Sequence, residues 1–386
     1  MRTRLLLAAA VALGAAGSAR AGTLPRVDST LPPWLAPGGV ATVSGWAAPA
    51  TRVALLTGGG ATLAHATSGA AGRFALRFRA PASGDYRLRV AAGGATAAAG
   101  RLHVRPLRLA AVGDITFGEQ VGPALATHGA AYPWTGVAAA LRSADLTVGN
   151  LETSVSTRGA PQAKQYVFRG PPWALPPLAR LAGFDVLTLA NNHSGDYGPG
   201  ALLDTLRAVR AAGIVPVGAG VDAARAARPA LLRAGGLRVA VFGWSDVNPL
   251  GFPAGARTPG TARADAAAIE SAVRSVRRRV DLAVCFFHWG VERRAAPNAD
   301  QERLAAACLD GGAQVVLGAH PHVLGRVAET RPHRLVAWTL GNFVFPSSGI
   351  AARTGILDVR LGRAGVLGWR LRPVEIDGFR PRLAGR

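Results

Sequence analysis

Val186-Leu187-Thr188-Leu189-Ala190-Asn191-Asn192-His193 runs from a short apolar strand straight into a polar loop, and a helical pattern follows over 200–212. A strand without alternation, with a helix close behind, reads as one covered on both faces in an α/β sheet. The same pattern extends in both directions. Apolar strands are predicted at 107–112, 146–148, 239–242, 282–287, 315–317 and 335–340, and further helices at 266–278 and 301–310. Beyond Gly355 the pattern becomes a hairpin, 356–361 with 366–371, turning at Gly362-Arg363-Ala364-Gly365.

The residues just after each strand carry the chemistry. Strand 107–112 leads into Gly113-Asp114, strand 146–148 into Gly149-Asn150-Leu151-Glu152, and strand 282–287 into His288-Trp289-Gly290. Strand 315–317 leads into Gly318-Ala319-His320-Pro321-His322, and strand 335–340 into Gly341-Asn342. Ligands in α/β folds collect at the carboxyl ends of strands, so six strands here deliver Asp, Glu, Asn or His to one rim. Of eight histidines four (His193, His288, His320, His322) fall in these loops, and of six asparagines four (Asn150, Asn191, Asn192, Asn342). Turn formation explains Asn150 or Asn342 singly; it does not explain the histidines. Mixed carboxylate, imidazole and amide donors suit one or two divalent ions of Mn, Fe or Zn. They match neither a Cys-rich structural zinc site nor an all-oxygen calcium site.

The chain has 386 residues, 49% hydrophobic and 17% charged, which excludes wholesale disorder and leaves room for two domains. Its net charge is +22, but 43 of the 44 basic residues are arginines spread along the chain, with no run longer than Arg277-Arg278-Arg279. With 6% aromatics and no accompanying motif, this charge does not read as nucleic-acid binding. An acidic polymer or a phosphorylated substrate fits it. Lys164 is the only lysine, which marks a position where a compact ammonium serves and a planar guanidinium does not. It follows the strand that carries Asn150 and Glu152, so it is predicted to contact an anionic part of the substrate or a metal-bound carboxylate. Arg169 is expected at the same mouth.

The N-terminus begins with Arg2 and Arg4, continues through an apolar stretch over 5–17 and ends in Ser18-Ala19-Arg20-Ala21. That is a signal peptide over 1–21 and predicts export, to a secreted or envelope-associated location. Over 22–105 the period is two, with strands at 40–45, 52–56, 74–78 and 86–90 between glycine turns. This stretch resembles the small all-β, Ig-like sandwich modules that bacterial surface proteins place ahead of a functional domain. The remaining domain is 106–386. Cys285 and Cys308 both read as small buried hydrophobes, with a bridge between them as the alternative.

Three stretches carry a family resemblance: Ala190-Asn191-Asn192-His193-Ser194-Gly195-Asp196-Tyr197-Gly198, His288-Trp289-Gly290-Val291-Glu292 and Gly341-Asn342-Phe343-Val344-Phe345. On these, residues 107–346 resemble the CapA family of capsule and poly-γ-glutamate synthesis proteins, a branch of the calcineurin-like metallophosphoesterase superfamily. The resemblance implies an α/β fold, a sandwich of two β-sheets flanked by helices, with a two-metal site at the strand ends. It implies Asp114 as the first metal aspartate, Glu152 as the bridging carboxylate and Asn192 as the amide ligand. His193 would protonate the leaving group, His288 and His320 would complete one metal, and His322 the other. Asn150, Asn191 and Asn342 are expected beside the substrate, with Lys164 and Arg169. The superfamily motif begins Asp-x-His, whereas Asp114-Ile115-Thr116 has threonine at its third position, so one metal lacks an imidazole. The function implied is an exported, metal-dependent, hydrolase-like protein of capsule or poly-γ-glutamate-type polymer synthesis or processing. Its partners would be an anionic polymer, a phosphorylated or γ-glutamyl substrate and a membrane synthase complex. The alternative is a non-catalytic envelope component that binds polymer or organises the synthase.

Overall fold

The computed structural model describes residues 24–385, so the predicted signal segment lies outside the described residues. The chain divides into two compact units, with the boundary between Pro106 and Leu107.

The N-terminal unit holds two antiparallel sheets. One runs Arg26–Val27, Val40–Trp46, Arg73–Arg79, and the other Thr62–Thr67, Arg52–Thr57, Gly84–Ala92, Ala95–Val104. In Arg73–Arg79 the side chains alternate: Phe74, Leu76 and Phe78 are buried and the arginines exposed. The buried set shares one core with Val53, Leu55, Leu88 and Val90 of the other sheet. Strands Thr62–Thr67 and Ala95–Val104 lie outside the predicted ones. Both are alanine-rich, and alanine against a polar neighbour gives little hydrophobic contrast to read.

The C-terminal unit is mixed α/β with two large sheets. The first runs Val215–Val217, Val186–Thr188, Leu146–Leu151, Leu107–Ile115, Arg353–Gly362, Gly365–Asp377, Arg380–Leu383, with Asn342–Val344 also pairing Leu107–Ile115. The second runs Ala230–Ala234, Leu237–Ser245, Leu282–His288, Val315–Ala319, Arg334–Ala337, Val327–Arg331. Pairings near the middle of both sheets are parallel, and strand Leu282–His288 is buried at every residue. Helix Gly198–Ala211 packs on the first sheet, and helices Ala266–Val276 and Ala299–Asp310 on the second. Asp265 and Asn298 start these last two by accepting backbone N–H groups at Ala268 and Gln301. The sheets abut where Gly243 lies against Thr188 and Gly218, with no room for a Cβ.

Two expectations are corrected here. The predicted strand 335–340 ends at Ala337, and the chain crosses at Gly341 (φ 66°) to join the first sheet as Asn342–Val344. Cys285 and Cys308 are not separate hydrophobes but are joined in a disulfide, Cα–Cα 6.7 Å, tying strand Leu282–His288 to helix Ala299–Asp310. A strand and a helix whose cysteines are 23 residues apart reveal their proximity only in three dimensions.

Candidate metal centre

Parallel register levels the strand ends. Asn342, Asp114, Asn150 and Thr188 lie side by side on the first sheet, and Ser245, His288 and Ala319 on the second. Gly113 makes this possible on one side: it touches Gly341, leaving no space for a Cβ, and Asp114 N–H donates to Gly341 O at 2.9 Å. On the other side His320 and His322 take φ values of 97° and 58°. Non-glycine residues hold such backbone at about 1–3 kcal/mol each, and it concentrates at functional sites. The bend brings the His320 ring 4.7 Å from that of His288 and 5.9 Å from that of His322.

Six residues expected as ligands gather here. Ligand atoms of Glu152, His320 and His322 lie within 4.8 Å of one another, as do those of Asp114, Glu152 and His288. Glu152 belongs to both groups. His320 shares Glu152 with His322 in one group, and its ring also lies 4.7 Å from that of His288, which shares Glu152 in the other. The imidazoles interleave with the acids: His288 Nε2 is 3.4 Å from Glu152 Oε1, and His322 Nδ1 is 3.5 Å from Asp114 Oδ2. Asn192 joins them through Oδ1, 2.7 Å from His288 Nε2.

The donor set fits a divalent cation. Both carboxylate oxygens of Glu152 and Nδ1 of His320 are buried without a hydrogen-bond partner. A buried carboxylate in that state is strongly unfavourable unless a positive charge satisfies it. Burial pushes His288 down to about 3 and His320 down to about 2, keeping both as neutral imidazoles, the form that coordinates metal. Asp114 is raised to about 6, first by burial and then by the adjacent Glu152. For His322 burial acts downward, but Glu152, Asp114 and the hydrogen bond with Asn342 outweigh it and the net shift is upward. Thr116 stands where an imidazole was missing, and its hydroxyl accepts the Gly118 N–H at 3.1 Å.

His193 sits beside the ligands, Nε2 3.9 Å from Glu152 Oε1. Its Nδ1 is 2.7 Å from Asp196 Oδ2, and its ring stacks on Phe168 at 3.9 Å. Asp196 is completely buried and also accepts from Phe168 N–H (2.6 Å) and Lys164 Nζ (2.7 Å). Asp196 is a functional residue that the sequence reading misses; the signal for it is its position three residues after a candidate catalytic histidine.

The residues expected beside substrate are held by hydrogen bonds in and around the centre. Asn150 donates to Asp114 Oδ1 at 2.7 Å and accepts from Asn191 at 3.0 Å. Asn191 also donates to Leu151 O and accepts the His193 and Ser194 N–H groups, shaping the loop that carries Asn192. Both are fully buried. Asn342 bonds His322 Nδ1 at 2.7 Å. Lys164 reaches the site, but its Nζ donates to Asn192 O at 2.6 Å as well as to Asp196. Arg169 donates to Arg158 O and Gly159 O and lies 3.5 Å over the Tyr197 ring, bracing the loop.

Buried acids and neutral imidazoles at the level ends of two facing sheets define an α/β protein with a candidate divalent-metal centre. The family described as "Bacterial capsule synthesis protein PGA_cap" matches residues 108–347, and the chain belongs to it. Among relatives, the "PGA biosynthesis protein CapA" of Bacillus subtilis is 30% identical over 70% of this chain and 72% of its own length. The "Capsule biosynthesis protein CapA" of Bacillus anthracis is 32% identical over 62% of this chain and 60% of its own. A "Probable polyglutamine synthesis accessory protein" of Mycobacterium tuberculosis is 32% identical over 50% of this chain and 54% of its own. Among solved structures, a phosphatase from Mycoplasma pneumoniae aligns with TM-score 0.45 and 12% identity over 70% of this chain and 94% of its own. Likeness at that level decides nothing about chemistry. No helix among the described residues is long and apolar enough to cross a membrane.

Proposed function

We propose that this chain is an exported, metal-dependent hydrolase of the cell envelope. It would act in synthesis or processing of a capsule or poly-γ-glutamate-type anionic polymer, cleaving a γ-glutamyl amide or a phosphoester. The names of the relatives support the polymer. The observation that carries the chemistry is Glu152, buried without a donor and shared by two groups of ligands. Asp114, Glu152, Asn192, His288, His320 and His322 would hold one or two ions of Mn, Fe or Zn. A divalent ion so held activates water and polarises the scissile group.

The chain's own residues prepare the remaining step. Asp196 accepts the Nδ1 proton of His193 and orients the ring with Nε2 directed at the centre. When both ring nitrogens carry a proton, the one at Nε2 is placed to be given to a leaving group. Lys164 ties Asp196 to the Asn192 carbonyl, so ligand and acid are carried by one braced loop. The N-terminal unit serves as an Ig-like spacer.

Thr116 favours a second reading, a non-catalytic component that binds polymer or organises a synthase, because it contributes a hydroxyl turned to Gly118 in place of an imidazole. Elemental analysis of purified protein reloaded with Mn, Fe or Zn, combined with assays on phosphoesters and on poly-γ-glutamate chain length, separates the two. Bound metal with turnover that disappears in Glu152→Gln supports the hydrolase. Bound metal without turnover supports the second reading, and absence of metal refutes both metal assignments.

A further inference from the structure

At the edge of the first sheet, beside its outermost strand Val215–Val217, lies a cavity of about 420 Å³. Arg207 and Arg210 reach it from helix Gly198–Ala211, and Arg225 and Arg228 from the segment opposite, with Leu206 and Pro216 as apolar wall between them. No carboxylate lines it among the described residues. Arg207 pairs with Asp204, but Arg210, Arg225 and Arg228 have no ion pair among the described residues. Guanidinium groups gathered without counter-charge create a field that attracts anions, and their forks match carboxylates.

We propose that this groove binds an extended polycarboxylate chain, at a site separate from the metal centre; the choice of polymer rests on the function proposed above. A γ-linked glutamate polymer offers one carboxylate and two methylenes per repeat, matching arginines set around an apolar wall. Nucleic acid is a poor match because no aromatic side chain lines the cavity. The helix bearing Arg207 and Arg210 starts directly after the loop of Asn192 and His193. Arg207 lies about 14 Å along it at roughly 1.5 Å per residue, so a few repeats span from groove to centre. The groove holds the chain while its end reaches the metal ligands.

The test is binding of a fluorescent poly-γ-glutamate oligomer to the full chain in chelator, followed by anisotropy at several salt concentrations. The variant Arg210→Gln/Arg225→Gln/Arg228→Gln is compared with Arg77→Gln/Arg87→Gln/Arg101→Gln, which removes the same charge from exposed positions in the N-terminal unit. The groove variant should lose about tenfold in affinity at low salt and show a shallower salt dependence, with the control within about twofold of the parent and thermal melts unchanged. Equal losses in both variants, no binding by the parent, or equal binding of dextran sulfate would overturn the proposal. Because binding is read without metal, absent turnover in the loaded protein would sink the hydrolase reading alone.

Discussion

Replacing Asp114 by asparagine separates what this carboxylate does to the fold from what it does for a cation. Burial and Glu152 raise its pKa from 3.8 to about 6, a preference for the protonated form worth ~3 kcal/mol. The unfolded chain releases this proton near its ordinary value, so between about pH 4 and pH 6 the folded state holds a proton that the unfolded state has lost. The stability this group contributes is therefore full below about pH 4, falls as pH rises toward 6, and stays lower by ~3 kcal/mol above that. Asparagine removes the charge, but its NH2 replaces one of two oxygens that accept from the Asn150 amide and the His320 N–H, at a cost of ~1 kcal/mol. In chelator, Asp114→Asn should lie about 1 kcal/mol below the parent near pH 4 and exceed it by about 1–2 kcal/mol at pH 8. Urea unfolding of both proteins across that range gives a difference curve that carries the Asp114 proton together with the loss of its pull on His288 and His322. With metal at 100 times its Kd the parent should gain about 2.7 kcal/mol and the variant much less, reversing the order. A variant no more stable at pH 8 in chelator, or one that gains as much from metal as the parent, would refute the reasoning.

Three further outcomes are expected. His193→Ala should keep its metal by elemental analysis and lose roughly 10²–10⁴-fold in turnover; loss of the metal would make His193 a ligand. Lys164→Arg keeps the charge but cannot fold a planar fork around Asn192 O and Asp196, so turnover should fall about tenfold with metal retained. Unchanged kinetics would show that the lone lysine is incidental. Gly113→Ala drives a Cβ into the Gly341 carbonyl and should lower unfolding free energy by about 3 kcal/mol, read by urea titration; a neutral effect would mean the two strands separate easily.

The C-terminal strands are legible in the sequence because they are buried on both faces and so written as unbroken apolar runs, as in Leu282–His288. The ligands are legible for a related reason: a loop that only turns the chain has no need of histidine or glutamate at the point where an apolar run stops. Which histidine shares which carboxylate is not legible, because it depends on the backbone bend at His320 and His322, and φ is invisible in residue identity. Nor does residue type show which partners Asn150, Asn191 and Asn342 take within the centre. The uniqueness of Lys164 draws attention to it, but its acceptors, a backbone carbonyl and a buried aspartate, emerge only once the loop is closed.

Every candidate metal ligand lies in a strand or within four residues of a strand terminus. The outer excursions at 246–259 and 291–298 carry none of them. The centre is thus anchored to the sheets, and the outer loops are free to drift without moving it. Such an arrangement lets the loop sequences change without displacing the candidate ligands. Transplanting 291–298 from a relative should therefore yield a chimera with parental metal content and altered substrate preference.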